Sequence, residues 1–338
     1  MLNRRKKLLL AGLALLVLLT FVYATRERDP VYQGRRFSQY LREVHGVGLG
    51  WGSMDQIVPG IVLDYDAWSG KREASEAVLN VGTNALPMLV RLLGTRESRA
   101  KLWLRRLAEK HPVFKRLVPL GRDNVFQQNM SALLAFYRLG PQAAAAIPKI
   151  IPMLEESDSA AVAAVALMYI RPERESDILS LTNVFRMRKP GRSGVSPEML
   201  HCTAILALST FGTNASGAIP VLLQRLGSTN AEVAAASAVA LARIGGPPDI
   251  VVPLILENLP QSNAPRPASL ISPSASYQIL MNDRNMSQNL RALGEYGRHA
   301  SNALPQLRAL EGYPDAQIQR AAREAAAKIQ GDTNSVQR

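Results

Sequence analysis

The sequence is poor in the residues that carry catalysis and bind metals. Its 338 residues include one cysteine, Cys202, and four histidines, His45, His111, His201 and His299. One thiol excludes an intrachain disulfide and a cysteine-based metal site. The histidines lie far apart and form no ligand-spaced pair. His201 adjoins Cys202, but neighbours on a helix point ~100° apart. A small core thiol beside a partly exposed histidine is the plain reading; a catalytic Cys/His pair is the sharp one. The glycines of GVGLGWG, residues 46–52, precede no Gly-Lys-Ser/Thr and fit no dinucleotide spacing, so they read as a flexible loop. Asp64, Asp66 and Glu73, near Tyr65 and Trp68, lack the ligand number and glycine placement of a calcium loop. They read as a solvated turn, or as part of an aromatic cap. With no nucleophile–base spacing and no metal cluster, the chain is expected to be no enzyme and to hold no cofactor. Aromatics make up only 6% of the residues, fewer than a β-sandwich calls for.

Apolar residues and cations are plentiful. Apolar residues make up 47%, and the formal net charge is +13. The charge is uneven. Residues 1–30 hold six basic and two acidic residues, a net +4. Residues 91–122 hold ten basic and two acidic ones, a net +8. The remainder nearly cancels, so the chain is not a uniformly basic nucleic-acid binder.

Arg4, Arg5, Lys6 and Lys7 precede the uncharged run LLLAGLALLVLLTFVYA, residues 8–24. As a helix this run spans roughly 25 Å, a little short of a ~30 Å hydrocarbon core. It also exceeds the ~7–15 residues of a typical signal h-region. Two readings stand for residues 1–25: a signal-anchor forming a transmembrane helix, or a signal peptide cut near Ala24. Either keeps the cations in the cytoplasm and puts the rest outside it. The expected location is the inner membrane, single-pass with an extracytoplasmic body, or export after cleavage.

The rest of the chain repeats a sentence. An apolar or aromatic residue is followed by Gly, small residues and then Pro. The copies are LGPQAAAAIPKII from Leu139, FGTNASGAIPVLL from Phe211, IGGPPDIVVPLIL from Ile244 and YGRHASNALPQLR from Tyr296. VGTNALPML from Val81 is a shorter copy. Glycine supplies the left-handed geometry that ends a helix, and proline suits the first turn of the next or kinks it. Repeated helix–turn–helix units predict an all-α fold, an α-solenoid of about six hairpins over residues 71–330.

Residues 26–70 are read as a polar linker followed by a cap segment. Within it, Phe37, Tyr40, Leu41 and Val44 have helical spacing. Ser196 is expected to cap a helix with Pro197 at its first position. Thr229–Glu232 reads as a capping box. Residues 260–273 read as an insertion loop, with the sixth unit beginning near Met286. A last helix over 315–330 would close the stack, leaving 331–338 as a disordered tail.

LGPQAAAAIPKIIPML, FGTNASGAIPVLLQRL and YGRHASNALPQLRAL resemble HEAT repeats of the short bacterial type called PBS-lyase-like. VYQGRRFSQYL and AVLNVGTNALPMLVRLL resemble segments of bacterial HEAT-repeat proteins with an N-terminal hydrophobic segment. The resemblance spans about residues 30–330. It implies a binding scaffold more than an enzyme. Phycobilin lyases are the exception, but nothing here marks a bilin-attachment site.

The expected function is therefore a non-catalytic scaffold that binds a protein or peptide. Two alternatives stay open: a lyase-like or ligand-processing HEAT-repeat enzyme, and a nucleic-acid-binding HEAT-like protein. The inferred compartment argues against nucleic acid as a partner. Binding features are sought where the repeat fails, at 94–123, 187–196 and 260–282. The named candidates are Arg99, Lys101, Arg105, Arg106, Lys115 and Arg116. They would contact an acidic partner or anionic lipid headgroups, or form a solvated face.

Overall fold

The turn glycines set the geometry. Gly82, Gly140, Gly212 and Gly297 have φ of 55°, 54°, 54° and 53°, and Gly245 has 91°. These are left-handed values that side chains with a Cβ rarely adopt. Four of the glycines open a 3-10 turn: Gly82–Ala85, Gly140–Ala146, Gly212–Ala218 and Gly297–Ala303. The first turn has 4 residues and the others 7, which is the length difference visible among the repeat copies. In the helix after each turn, Pro87, Pro148, Pro220 and Pro305 fall in the first two positions. A missing N–H there breaks no intrahelical bond.

The structure, a computed structural model, describes residues 29–43, 72–96, 123–191, 195–259 and 273–331. These residues are mostly helical. After strands β1 (Val31–Tyr32) and β2 (Arg35–Arg36) comes α1 (Phe37–Glu43). Helix pairs follow: α2 (Arg72–Val81) with α3 (Leu86–Leu93), then α4 (Asp123–Leu139) with α5 (Ile147–Ile150). Next come α6 (Ala160–Ile170) with α7 (Glu175–Leu179), and α8 (Pro197–Ser209) with α9 (Ile219–Leu226). The last pairs are α10 (Ala231–Ile244) with α11 (Pro248–Glu257), and α12 (Pro273–Tyr296) with α13 (Leu304–Leu310). Helix α14 (Ala316–Gln330) ends the order.

The first helices of the pairs pack on one another in chain order: α2, α4, α6, α8, α10, α12 and α14. Small residues allow this. In α8 every residue from Leu200 to Ser209 is buried. Between α12 and α14 the approach is so close that a Cβ on Gly294 would lie 3.2 Å from Ala325 Cα. One apolar cluster runs from Phe37 to Ile329. Each fully buried Leu or Ile contributes ~1.5–3 kcal/mol to it.

At the start, Gln33 and Gly34 both have positive φ, 47° and 76°, and turn β1 back onto β2. That is the two-residue turn whose twist matches paired strands. The pairing is antiparallel, with Val31 opposite Arg36 and Tyr32 opposite Arg35. Asp29 Oδ1 accepts the Ser38 N–H at 3.0 Å, and α1 packs on α2 and α4. Phe37, Tyr40 and Leu41 are buried, so α1 covers the first pair as its spacing predicts.

Several expectations are corrected. The stretch read as a linker contains this hairpin. Asn230, not Thr229, caps α10: its side chain accepts from Glu232 N and Val233 N, both at 3.0 Å. The reciprocal box is therefore absent. Pro253 lies inside α11, whose first position is taken by Pro248. The sixth unit's first helix begins at Pro273, not near Met286, so part of the expected insertion is helical. The third pair, where the sequence has no copy of the glycine–proline turn, reverses at Arg171 as expected, with φ 57°. Ser196 does cap α8, accepting from Met199 N at 3.2 Å, with Pro197 first.

The signal segment, the glycine loop at 46–52, the Asp64–Trp68 cluster, residues 97–122, 192–194, 260–272 and the tail from 332 lie outside the described residues. Among the described residues no helix is long and apolar enough to cross a membrane.

Candidate functional site

Arg99, Lys101, Arg105, Arg106, Lys115 and Arg116 all lie outside the described residues. The start of their segment is described. Arg96 forms an ion pair with Glu156, and its Nη2 donates to Ser159 Oγ at 3.3 Å. Ser159 Oγ in turn donates to Met153 O at 2.9 Å. The chain entering the basic segment is thus tied to the junction before α6.

The second expected feature, the basic loop from Met187, lies beside His201 of α8 and Arg225 of α9. Arg225, in the last turn of α9, reaches the preceding unit. Its Nη2 donates to Phe185 O at 3.2 Å, and its guanidinium carbon lies 5.2 Å from the Phe185 ring centre. Its Nε is buried with no hydrogen-bond partner. His201 meets the same ring edge-on at 5.7 Å, with Nε2 3.2 Å from Met187 O. Burial and then the positive charge of Arg225 push His201 below the ordinary histidine value. Arg188 adds to this, while the Met187 carbonyl and Glu198 oppose it. The ring is held neutral, and a neutral ring that keeps this contact donates Nε2–H to the carbonyl.

Cys202 is 1% exposed, and burial pushes its thiol far above the ordinary range. It is a core thiol. His201 is committed to the Met187 carbonyl, so the pair is not arranged as a nucleophile and its base. Among the described residues no group of three His, Cys, Asp or Glu is placed to hold a metal.

A third feature lies beside the expected insertion. An open cavity of about 380 Å³ sits where the end of α11, the start of α10 and the middle of α12 meet. Asn258, Asn285, Asn289 and Tyr313 are its polar side chains, and Ile255, Leu259 and Met286 form part of its apolar wall. Asn285 and Asn289 are one helical turn apart, and each is 9% exposed. Asn285 Oδ1 is buried without a hydrogen-bond partner. Asn258 Nδ2 donates to Leu254 O at 2.8 Å, which leaves its amide oxygen as an acceptor. Sequence reasoning missed this site.

No protein-family model matches this sequence, and a search of the curated proteins finds no similar one.

Proposed function

We propose that the chain is a non-catalytic α-solenoid of HEAT-like hairpins that binds a protein or peptide. Residues 8–24 hold it to the inner membrane or direct its export, so the solenoid works on the extracytoplasmic side. The observation that carries this reading is the packing of first helices in chain order from α2 to α14. Units that contact only their neighbours form an extended surface, and such surfaces serve as docking faces. The glycine–proline turns, with four φ values between 53° and 55°, support the same reading. Arg225 with Arg188, and the run from Arg91 to Arg122, favour a partner with acidic side chains or a membrane with anionic headgroups.

Crosslinking in cells followed by mass spectrometry tests the scaffold reading. A specific extracytoplasmic partner is expected, and its recovery should fall when Arg99, Lys101, Arg105, Arg106, Lys115 and Arg116 are reversed in charge. Unchanged recovery, together with unchanged binding to anionic vesicles, would remove those six from the function. Protease added to intact spheroplasts should digest the body of the chain; full protection would overturn the placement.

A further inference from the structure

The last turn of α9 carries a charge where its counterparts carry none. Five residues after Pro87, Pro148 and Pro305 stand Leu92, Met153 and Leu310; five after Pro220 stands Arg225. Leu92 and Met153 pack partly buried on the apolar core, and Leu310 is buried. Met153 does for the second unit what Arg225 does for the fourth. It reaches the chain just past the preceding unit's second helix, where a Cβ on Gly94 would overlap its methyl group. An uncharged side chain therefore suffices for this tie between units. The arginine makes the tie less favourably, since its Nε is buried with no hydrogen-bond partner.

What the arginine adds is a charge fixed in place and open to solvent. Phe185 O holds Nη2, and the guanidinium lies against the Phe185 ring. Nη1 has no hydrogen-bond partner among the described residues, and unlike Nε it keeps accessible surface. Arg188 is exposed and near enough for the two positive charges to repel. Among the described residues no carboxylate pairs with Arg225, and residues 192–194, Arg-Ser-Gly, bring none. Glu198 acts electrostatically on His201 and not on Arg225. An anion between two such cations relieves their repulsion, and guanidinium groups hold carboxylates by directed, charge-assisted hydrogen bonds. The place in the stack favours a protein as its source. The apolar run 8–24 leads into the strands that pack on α2, and α8 lies three helix layers further on, roughly 25–30 Å. Headgroup charge at the first pair is screened within about 8 Å. Resting on the scaffold reading above, we propose that Arg225 and Arg188 together bind an aspartate or glutamate side chain of the partner. Its carboxylate accepts from Arg225 Nη1 and from the Arg188 guanidinium.

The test uses the full chain in detergent micelles with ¹³C-labelled methionine methyls. The reporter is Met187, next to Arg188, with its signal assigned by Met187→Leu. The probe is acetyl-triglutamate amide. Acetyl-triglutamine amide is the neutral control, and sn-glycerol 1-phosphate stands for a lipid headgroup. The acidic probe is expected to shift Met187 saturably, and the neutral one to leave it in place. Arg225→Met, which supplies the side chain of the second unit, should weaken binding about tenfold, and so should Arg188→Met. Arg320→Met removes the same charge from an exposed position of α14 and should leave binding unchanged. Arg188 is exposed, so Arg188→Met decides the matter if Arg225→Met does not fold. No saturable shift, an equal response to the neutral control, or unchanged binding in Arg225→Met or Arg188→Met would overturn the proposal. An equal loss in Arg320→Met would also overturn it, by showing attraction to net charge alone. Tighter binding of glycerol phosphate than of the acidic probe would overturn it in favour of headgroups. The scaffold reading is judged separately. A cellular partner crosslinked equally to wild type and Arg225→Met would leave the scaffold standing and remove the arginine pair from it. A wild type that captures nothing would remove the scaffold, while the titration still decides whether the pair binds carboxylates.

Discussion

His201 shows how one buried side chain links stability to pH. The folded chain holds its ring neutral through burial and the nearby Arg225 and Arg188. The unfolded chain takes up a proton near the ordinary value of 6.5. The unfolded state therefore binds more protons below that value, and this contribution to stability is complete above it and shrinks as pH falls. Urea midpoints at about pH 7.5 and about pH 5 should differ less in His201→Gln than in the wild type. Glycine and arginine at the turns make a second contrast. Gly212→Ala meets nothing nearer than Arg243 O at 3.9 Å, so only the left-handed backbone penalises it, by about 1 kcal/mol. Arg171 already bears that penalty, and Arg171→Gly should raise stability by about 1 kcal/mol in the same denaturation experiment.

Helix ends are governed by short-range chemistry, and most of them were legible. Ser196 before Pro197 marks a helix start because the hydroxyl and the missing N–H solve the same problem of unpaired donors. The α10 cap was misplaced by one residue, since Thr229 and Asn230 are both capping types and only geometry chooses between them. Asn230→Ala should cost about 1 kcal/mol in thermal unfolding, and Thr229→Ala much less. The hairpin at β1 and β2 escaped notice because two-residue strands carry no alternation to read. The start of α12 was missed because Pro273 reads equally as a breaker and as a first helical residue. The asparagine cavity was illegible for a different reason. It is assembled from residues between 226 and 313, on several elements, and no local pattern marks them as neighbours. The turn glycines, by contrast, were readable because the same Gly-to-Pro spacing recurs along the chain.

At the scale of the whole molecule, the last helix shows which forces close the stack. Ile318, Ala322, Ala325 and Ile329 of α14 are buried, while Lys328 pairs with Glu295 at 3.1 Å near the surface. Both partners of that pair are more than a third exposed, so it is worth under ~1 kcal/mol. Ile318→Ala should cost ~2–5 kcal/mol and Lys328→Ala little, as calorimetry of the two variants would measure. Apolar cover, not charge, ends the array. The turns have a consequence of another kind. TNAS after Gly212 and PQAA after Gly140 share only their third residue, alanine, yet the two glycines share φ 54°. A join whose shape rests on a glycine and one buried alanine tolerates drift in the residues between and after them. The turns after Gly140, Gly212 and Gly297 are thus interchangeable in shape, while the turn after Gly82 is shorter and the third pair makes its turn with Arg171.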